Sequence, residues 1–162
     1  ILLTHRIPAT ALHWSFDEGK TWQGPLQIDT VGGAYPSCVE LPDKTVYCVY
    51  YEEGEGSSIC GVRLRVDPQG VTVEPSSSSI ETGHLPFGGG TKAWLPNLGK
   101  LADGTILCAF TQGTAPRLDS IWIAGTRDAG KSWTSPVKVM DAAPNGYIAD
   151  PNILVVANRM LD

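Results

Sequence analysis

Histidine and cysteine are scarce in this 162-residue chain, with three and four copies. Cys38, Cys48, Cys60 and Cys108 show neither metal-ligand nor redox spacing, and His5, His13 and His84 are scattered, so neither a metal site nor a cofactor is expected. Basic residues are outnumbered, 12 Lys and Arg against 17 Asp and Glu, for a formal charge of −5. That leaves no basic stripe for nucleic acid. No apolar run approaches membrane-spanning length and no signal peptide is visible, so no membrane partner is expected. With Ile1 rather than Met in first place, the sequence assigns no compartment. Helical periodicity of any convincing length is also missing.

What the chain does have is a period of two, β-branched and aromatic residues, and frequent Gly and Pro punctuation, with 42% hydrophobic residues to build a core. These features predict an all-β chain with strands near residues 1–5, 10–15, 26–28, 37–41, 45–51, 59–66, 71–74, 93–101, 105–111, 121–125, 137–140 and 152–157. Residues 75–90, with four consecutive serines and three consecutive glycines, read as a long connector.

Two stretches repeat closely. Ser15-Phe16-Asp17-Glu18-Gly19-Lys20-Thr21-Trp22 and Thr126-Arg127-Asp128-Ala129-Gly130-Lys131-Ser132-Trp133 both fit Ser/Thr-x-Asp-x-Gly-x-Thr/Ser-Trp. An Asp beside a hydroxyl residue can accept hydrogen bonds from the backbone of a tight turn, and the Gly supplies a positive φ. The Trp then covers apolar surface. A second repeat aligns Pro36-Ser37-Cys38-Val39-Glu40-Leu41-Pro42-Asp43 with Pro96-Asn97-Leu98-Gly99-Lys100-Leu101-Ala102-Asp103, and a third copy begins at Pro151-Asn152-Ile153. The three prolines are 60 and 55 residues apart and the two motif aspartates 111 apart, two periods of a four-stranded unit. Cys48 and Cys108 occupy one repeat position, as small apolar residues in a buried strand would, so the thiols are expected to be free.

The eight-residue motif resembles the Asp-box, or BNR repeat, of the sialidase (neuraminidase)-like superfamily. That resemblance implies a β-propeller with about three four-stranded blades in this chain, half of a six-bladed ring. Residues 1–30 would form a partial blade with its Asp-box, 31–75 a blade, 76–92 an inter-blade loop, 93–140 a second Asp-box blade, and 141–162 the inner strand of a further blade. Three blades cannot close a ring, so two copies are expected to close it as a homodimer, unless the chain is part of a longer polypeptide.

The resemblance also implies a site on the face opposite the Asp-boxes, with a carbohydrate as substrate or ligand. His5, Lys92 and Gln112 fall on that face with the candidates named next. Arg6 precedes the Asp-box serine as a clamp arginine of the family does. Tyr35 stands before Leu41-Pro42-Asp43 as the family's nucleophilic tyrosine stands before Leu-Pro-Asp-Gly, and Tyr50-Tyr51-Glu52-Glu53 resembles the family's Tyr-Glu ending. Pro36 follows Tyr35 and is expected to hold it in an extended conformation. Glu52 or Glu53 is then the proton acceptor for Tyr35, with Glu52 taken as the catalytic one, and Asp119 or Asp150 the acid and base. Arg6, Glu53, Trp94, Arg117, Tyr147 and Asp150 are the candidate substrate-binding residues. Where the family has Arg-Ile-Pro this chain has Trp94-Leu95-Pro96, so one clamp arginine is absent from its expected place. The expected activity is an exo-glycosidase of the sialidase-like kind. The alternative is a noncatalytic module binding carbohydrate or protein, with Tyr35, Trp94 and Tyr147 as stacking groups.

Overall fold

The computed structural model describes residues 1–6, 9–29, 32–53, 58–74, 87, 92–113 and 118–156. The fold is all-β. Among the described residues eleven strands form three antiparallel sheets, none closed into a barrel, and each sheet is a simple meander in chain order. The first sheet holds β1 (Leu2–His5), β2 (Ala11–Trp14) and β3 (Gln23–Gln27). The second holds β4 (Gly33–Glu40), β5 (Val46–Glu52), β6 (Ile59–Asp67) and β7 (Gly70–Val73). The third holds β8 (Lys92–Lys100), β9 (Ile106–Gly113), β10 (Ser120–Thr126) and β11 (Val137–Asp141).

The second sheet is sandwiched, and β5 records this in its sequence. Alternate side chains of a strand point to opposite faces. Tyr47, Val49 and Tyr51 therefore enter a core shared with Ile106, Cys108 and Phe110 of β9, while Val46 and Cys48 enter a second core with Leu12 of β2. Burial on both faces explains an uninterrupted apolar run from Val46 to Tyr51. By contrast β11 is exposed along its whole length, as an outer edge strand. All four cysteines are free thiols, three of them buried.

Both eight-residue motifs form the expected clasp. In the first, Asp17 accepts from the Thr21 amide at 2.9 Å and the Thr21 hydroxyl at 2.6 Å, while Ser15 Oγ donates to Asp17 at 2.8 Å and accepts from the Gly19 amide at 2.8 Å. Thr126, Asp128, Gly130 and Ser132 repeat the pattern at 2.5–3.0 Å. The positive φ falls on two consecutive residues in each clasp, Glu18 and Gly19, then Ala129 and Gly130. These bonds hold the Asp17 carboxyl at about 2, chiefly through Thr21.

Two expectations need correction. Strand β4 begins at Gly33, ahead of Pro36 rather than after it, as β8 begins ahead of Pro96, where it is expected. The ladder runs through each proline on a bulge, where a missing N–H leaves no ladder bond unmade. Residues 152–156 are not a strand. They run along β8, with Ile153 and Val155 against Gly99, but no backbone beside them offers a ladder. Most of the 75–90 connector and residue 157 onward lie outside the described residues; Phe87 is described, and stacks on Phe110 at 4.6 Å.

Candidate functional site

Three equivalent corners define the site. In β4, Tyr35 and Pro36 together oppose Tyr50 of β5; in β8, Leu95 and Pro96 oppose Phe110 of β9. The residue before each proline is left-handed, with φ of 51° at Tyr35, 55° at Leu95 and 52° at Asp150. This overturns the extended conformation expected for Tyr35. A bulge that sets two residues against one turns the chain through a positive φ, and at Tyr35 and Leu95 the ladder on either side outweighs the local preference set by proline. Such residues cost about 1–3 kcal/mol each and cluster where a side chain must be re-aimed.

The residue after each proline ties neighbouring corners together. Ser37 Oγ accepts from the Leu98 amide at 3.0 Å, and Asn97 Oδ1 accepts from the Ile153 amide at 2.9 Å. Since Leu98 and Ile153 both stand two places after their proline, this is one joint made twice. Asn97 also donates to Asn152 at 3.3 Å. The corners, residues 35–37, 95–97 and 150–152, enclose a cleft of about 190 Å³.

One wall of the site is aromatic and charged. Tyr35 is 46% exposed, and its ring stacks on Tyr51 with centroids 5.9 Å apart. The Arg6 guanidinium lies 5.7 Å from the Tyr35 ring centre, within cation–π range. Arg6 also pairs with Glu53 at 2.9 Å, and the Tyr51 hydroxyl donates to the same Glu53 oxygen at 3.2 Å. Burial and then Glu53 push the Tyr51 phenol up to about 12, so it remains a hydrogen-bond donor at neutral pH. The exposed Arg6–Glu53 pair contributes no more than about 1 kcal/mol, so a ligand anion can compete for Arg6.

Of the sequence candidates, Arg6, Tyr35 and Glu53 come together, and Asp150 shares the cleft with Tyr35. Glu52 does not join them. Tyr51 and Glu53 share one face of the chain's alternation, and Glu52 points to the other, where its carboxylate interacts with Cys60. Trp94 is partly buried and packs against the core between the second and third sheets. Tyr147 is 80% exposed, away from the cleft. Asp119 sits at the β9–β10 connection, its amide donating to Gln112 and its carbonyl accepting from Ala142, and does not line the cleft. Arg117 lies outside the described residues. Tyr51, Ser37, Asn97 and Asn152 were not singled out from sequence, although the last three share one repeat position. Among the described residues, no cluster of His, Cys, Asp and Glu is arranged to hold a metal ion.

No family model matches this chain, and no curated protein does. Among solved structures, the crystal structure of a protein of unknown function from Dyadobacter fermentans DSM 18053 aligns at 13% identity with a TM-score of 0.32. The alignment covers 88% of this chain and 62% of that one, so the chain spans less than two thirds of that protein's length. A similarity of this size assigns neither fold family nor activity.

Proposed function

We propose that the chain is a sialidase-like β-propeller that acts on an anionic carbohydrate at the corner cleft as a glycoside hydrolase. One observation carries the reading: Tyr35, aimed outward by a strained bulge, stands beside the cleft with the Arg6 guanidinium over its ring. The two hydrogen-bonded Asp-box clasps support the family resemblance.

In this reading Arg6 binds the anionic group of the sugar, exchanging Glu53 for the ligand, since a guanidinium fork suits a carboxylate. The Tyr35 phenol attacks the anomeric carbon, avoiding the repulsion a carboxylate nucleophile would meet from an anionic sugar. Its proton passes to a carboxylate, and of Glu52 and Glu53 the second takes that role because it lies on the Tyr51 side of β5. Asp150, which lines the cleft, protonates the departing oxygen and then activates the water that releases the sugar from Tyr35.

A second reading, a noncatalytic glycan-binding module, is favoured by one fact. Among the described residues nothing hydrogen-bonds the Tyr35 hydroxyl, so no base is yet poised on it. A panel of fluorogenic glycosides and glycan-binding titrations separates the two. Hydrolysis that Tyr35→Phe abolishes supports the first; binding without turnover, weakened about 10- to 100-fold by Arg6→Ala, supports the second. A protein that neither binds nor cleaves any glycan overturns both.

A further inference from the structure

Two thiols face each other across β4 and β5. Cys38 and Cys48 are register partners in that ladder, so their side chains leave the sheet on one face, where both join the core around Leu12 and Leu64. The nearby turn fixes what kind of pair they make. The Leu41 amide donates to the Thr45 carbonyl at 2.8 Å, and these two residues stand three steps along the same register from Cys38 and Cys48. Antiparallel partners alternate between hydrogen-bonded and non-hydrogen-bonded pairs, so three steps from a bonded pair is a non-bonded one. Such partners are the closest in a ladder, with Cα atoms roughly 4.5 Å apart, inside the roughly 4.4–6.8 Å that a disulfide spans.

The other two thiols have no such partner: Cys60 opposes Tyr50, and Cys108 opposes Leu98 and Ala124. The third sheet supplies an internal comparison, because Leu98 and Cys108 hold the repeat positions of Cys38 and Cys48. Cys48 and Cys108 behave alike. Each is fully buried, with its thiol turned to the carbonyl of the next residue, Val49 at 3.8 Å and Ala109 at 3.9 Å. Core filling accounts for both of them. It does not account for Cys38, which puts a smaller and reactive side chain where β8 uses leucine. The two thiols also differ in character. The Cys38 thiol beside it, and then burial, push the Cys48 thiol well above its ordinary value, so Cys48 stays protonated. That leaves Cys38, which is half-buried, to meet an oxidant first.

We propose that Cys38 and Cys48 form a reversible oxidation site whose oxidant is a peroxide. The Cys38 sulfur attacks one oxygen of hydrogen peroxide; an S–O bond forms as the O–O bond breaks, and the second oxygen leaves as water with the thiol proton. The Cys48 sulfur then attacks the sulfenic sulfur of Cys38. The S–S bond forms as the S–O bond breaks, and the hydroxyl departs as water with the Cys48 proton. Two thiols thus lose two electrons and two protons, and the peroxide takes them up. A small dithiol reverses the bridge by exchange. Because the pair lies between the Tyr35 bulge and the turn at Leu41, oxidation pins together the two strands that carry that corner. The inference rests on ladder register and is tested without any glycan, so it stands or falls separately from hydrolysis.

Hydrogen peroxide should remove two of the four titratable thiols of the 162-residue chain and lower its intact mass by two hydrogens. Tryptic mapping should then join segments 21–44 and 45–63, with fragmentation placing the link at Cys38 and Cys48. Dithiothreitol should restore all four thiols. Cys38→Leu, which gives the second sheet the pair found in the third, should fold by circular dichroism and keep its remaining thiols through the same treatment. Cys48→Ala should stop halfway, with Cys38 trapped as a sulfenic acid by dimedone. Four thiols surviving peroxide, a link that involves Cys60 or Cys108, no dimedone adduct in Cys48→Ala, or an oxidised state that dithiothreitol does not reverse would overturn the proposal.

Discussion

The two clasps make the same hydrogen bonds and differ in what their tryptophans meet. Trp133 lies against Tyr47 of the second sheet and takes the edge of Phe87, in contact with the core. The Tyr47 phenol in turn fills a slot where a side chain on either Gly61 or Gly130 would collide with it. Trp22 has no such neighbour: it is 43% exposed, and its indole N–H closes back on the Gly19 carbonyl at 3.0 Å. The clasp is thus a local unit encoded in eight residues, while the covering role of its tryptophan depends on an adjacent sheet.

Truncating the two rings should show the largest difference. Trp133→Ala is expected to cost about 3 kcal/mol in urea unfolding, near the lower end for a packed aromatic, and Trp22→Ala less than about 1 kcal/mol in dilute solution. Equal costs would break the contrast.

Acid should separate the clasps less strongly. Asp17 is held at about 2 by Thr21 and Ser15. Because its folded value lies below the unfolded one, its contribution is complete above pH of about 4 and is lost as pH falls through about 2. At Asp128, burial pushes the carboxyl up before the bonds from Ser132 and Thr126 bring it down. Asp17→Asn should therefore flatten the acid limb of the urea midpoint more than Asp128→Asn does. The reverse order would mean that local bonding does not control these carboxylates.

The smallest difference concerns backbone. Glu18 and Ala129 both carry a positive φ that glycine adopts freely, but Ala129 also touches the core. Glu18→Gly should stabilise by about 0.5 kcal/mol, the relief of strain less the entropy of glycine, and Ala129→Gly by less. Thermal unfolding of the two variants side by side checks this.

Much of this fold is legible in residues whose requirements are local. The eight-residue motif spells out its own hydrogen bonds, and the run Val46-Tyr47-Cys48-Val49-Tyr50-Tyr51 announces a strand covered on both sides. The site was harder to read because its geometry is imposed from a distance. Nothing adjacent to Tyr35 in sequence tells that two flanking ladder segments will force a positive φ against the preference of a pre-proline residue. Glu52 and Glu53 differ by one step, which in a strand means opposite faces, so adjacency in sequence could not tell which carboxylate lies beside Tyr51. Residues 152–156 have the apolar pattern of a strand, but pattern alone cannot supply the neighbour that makes one.

The three proline corners keep nearly the same φ while holding a phenol, an isobutyl group and a carboxylate. Their shape is therefore indifferent to the side chain they carry, like a tool holder that grips any bit. Evolution or a designer could exchange the chemistry at 35, 95 or 150 without rebuilding the mount, so the side chains offered at this rim can change on an unchanged frame.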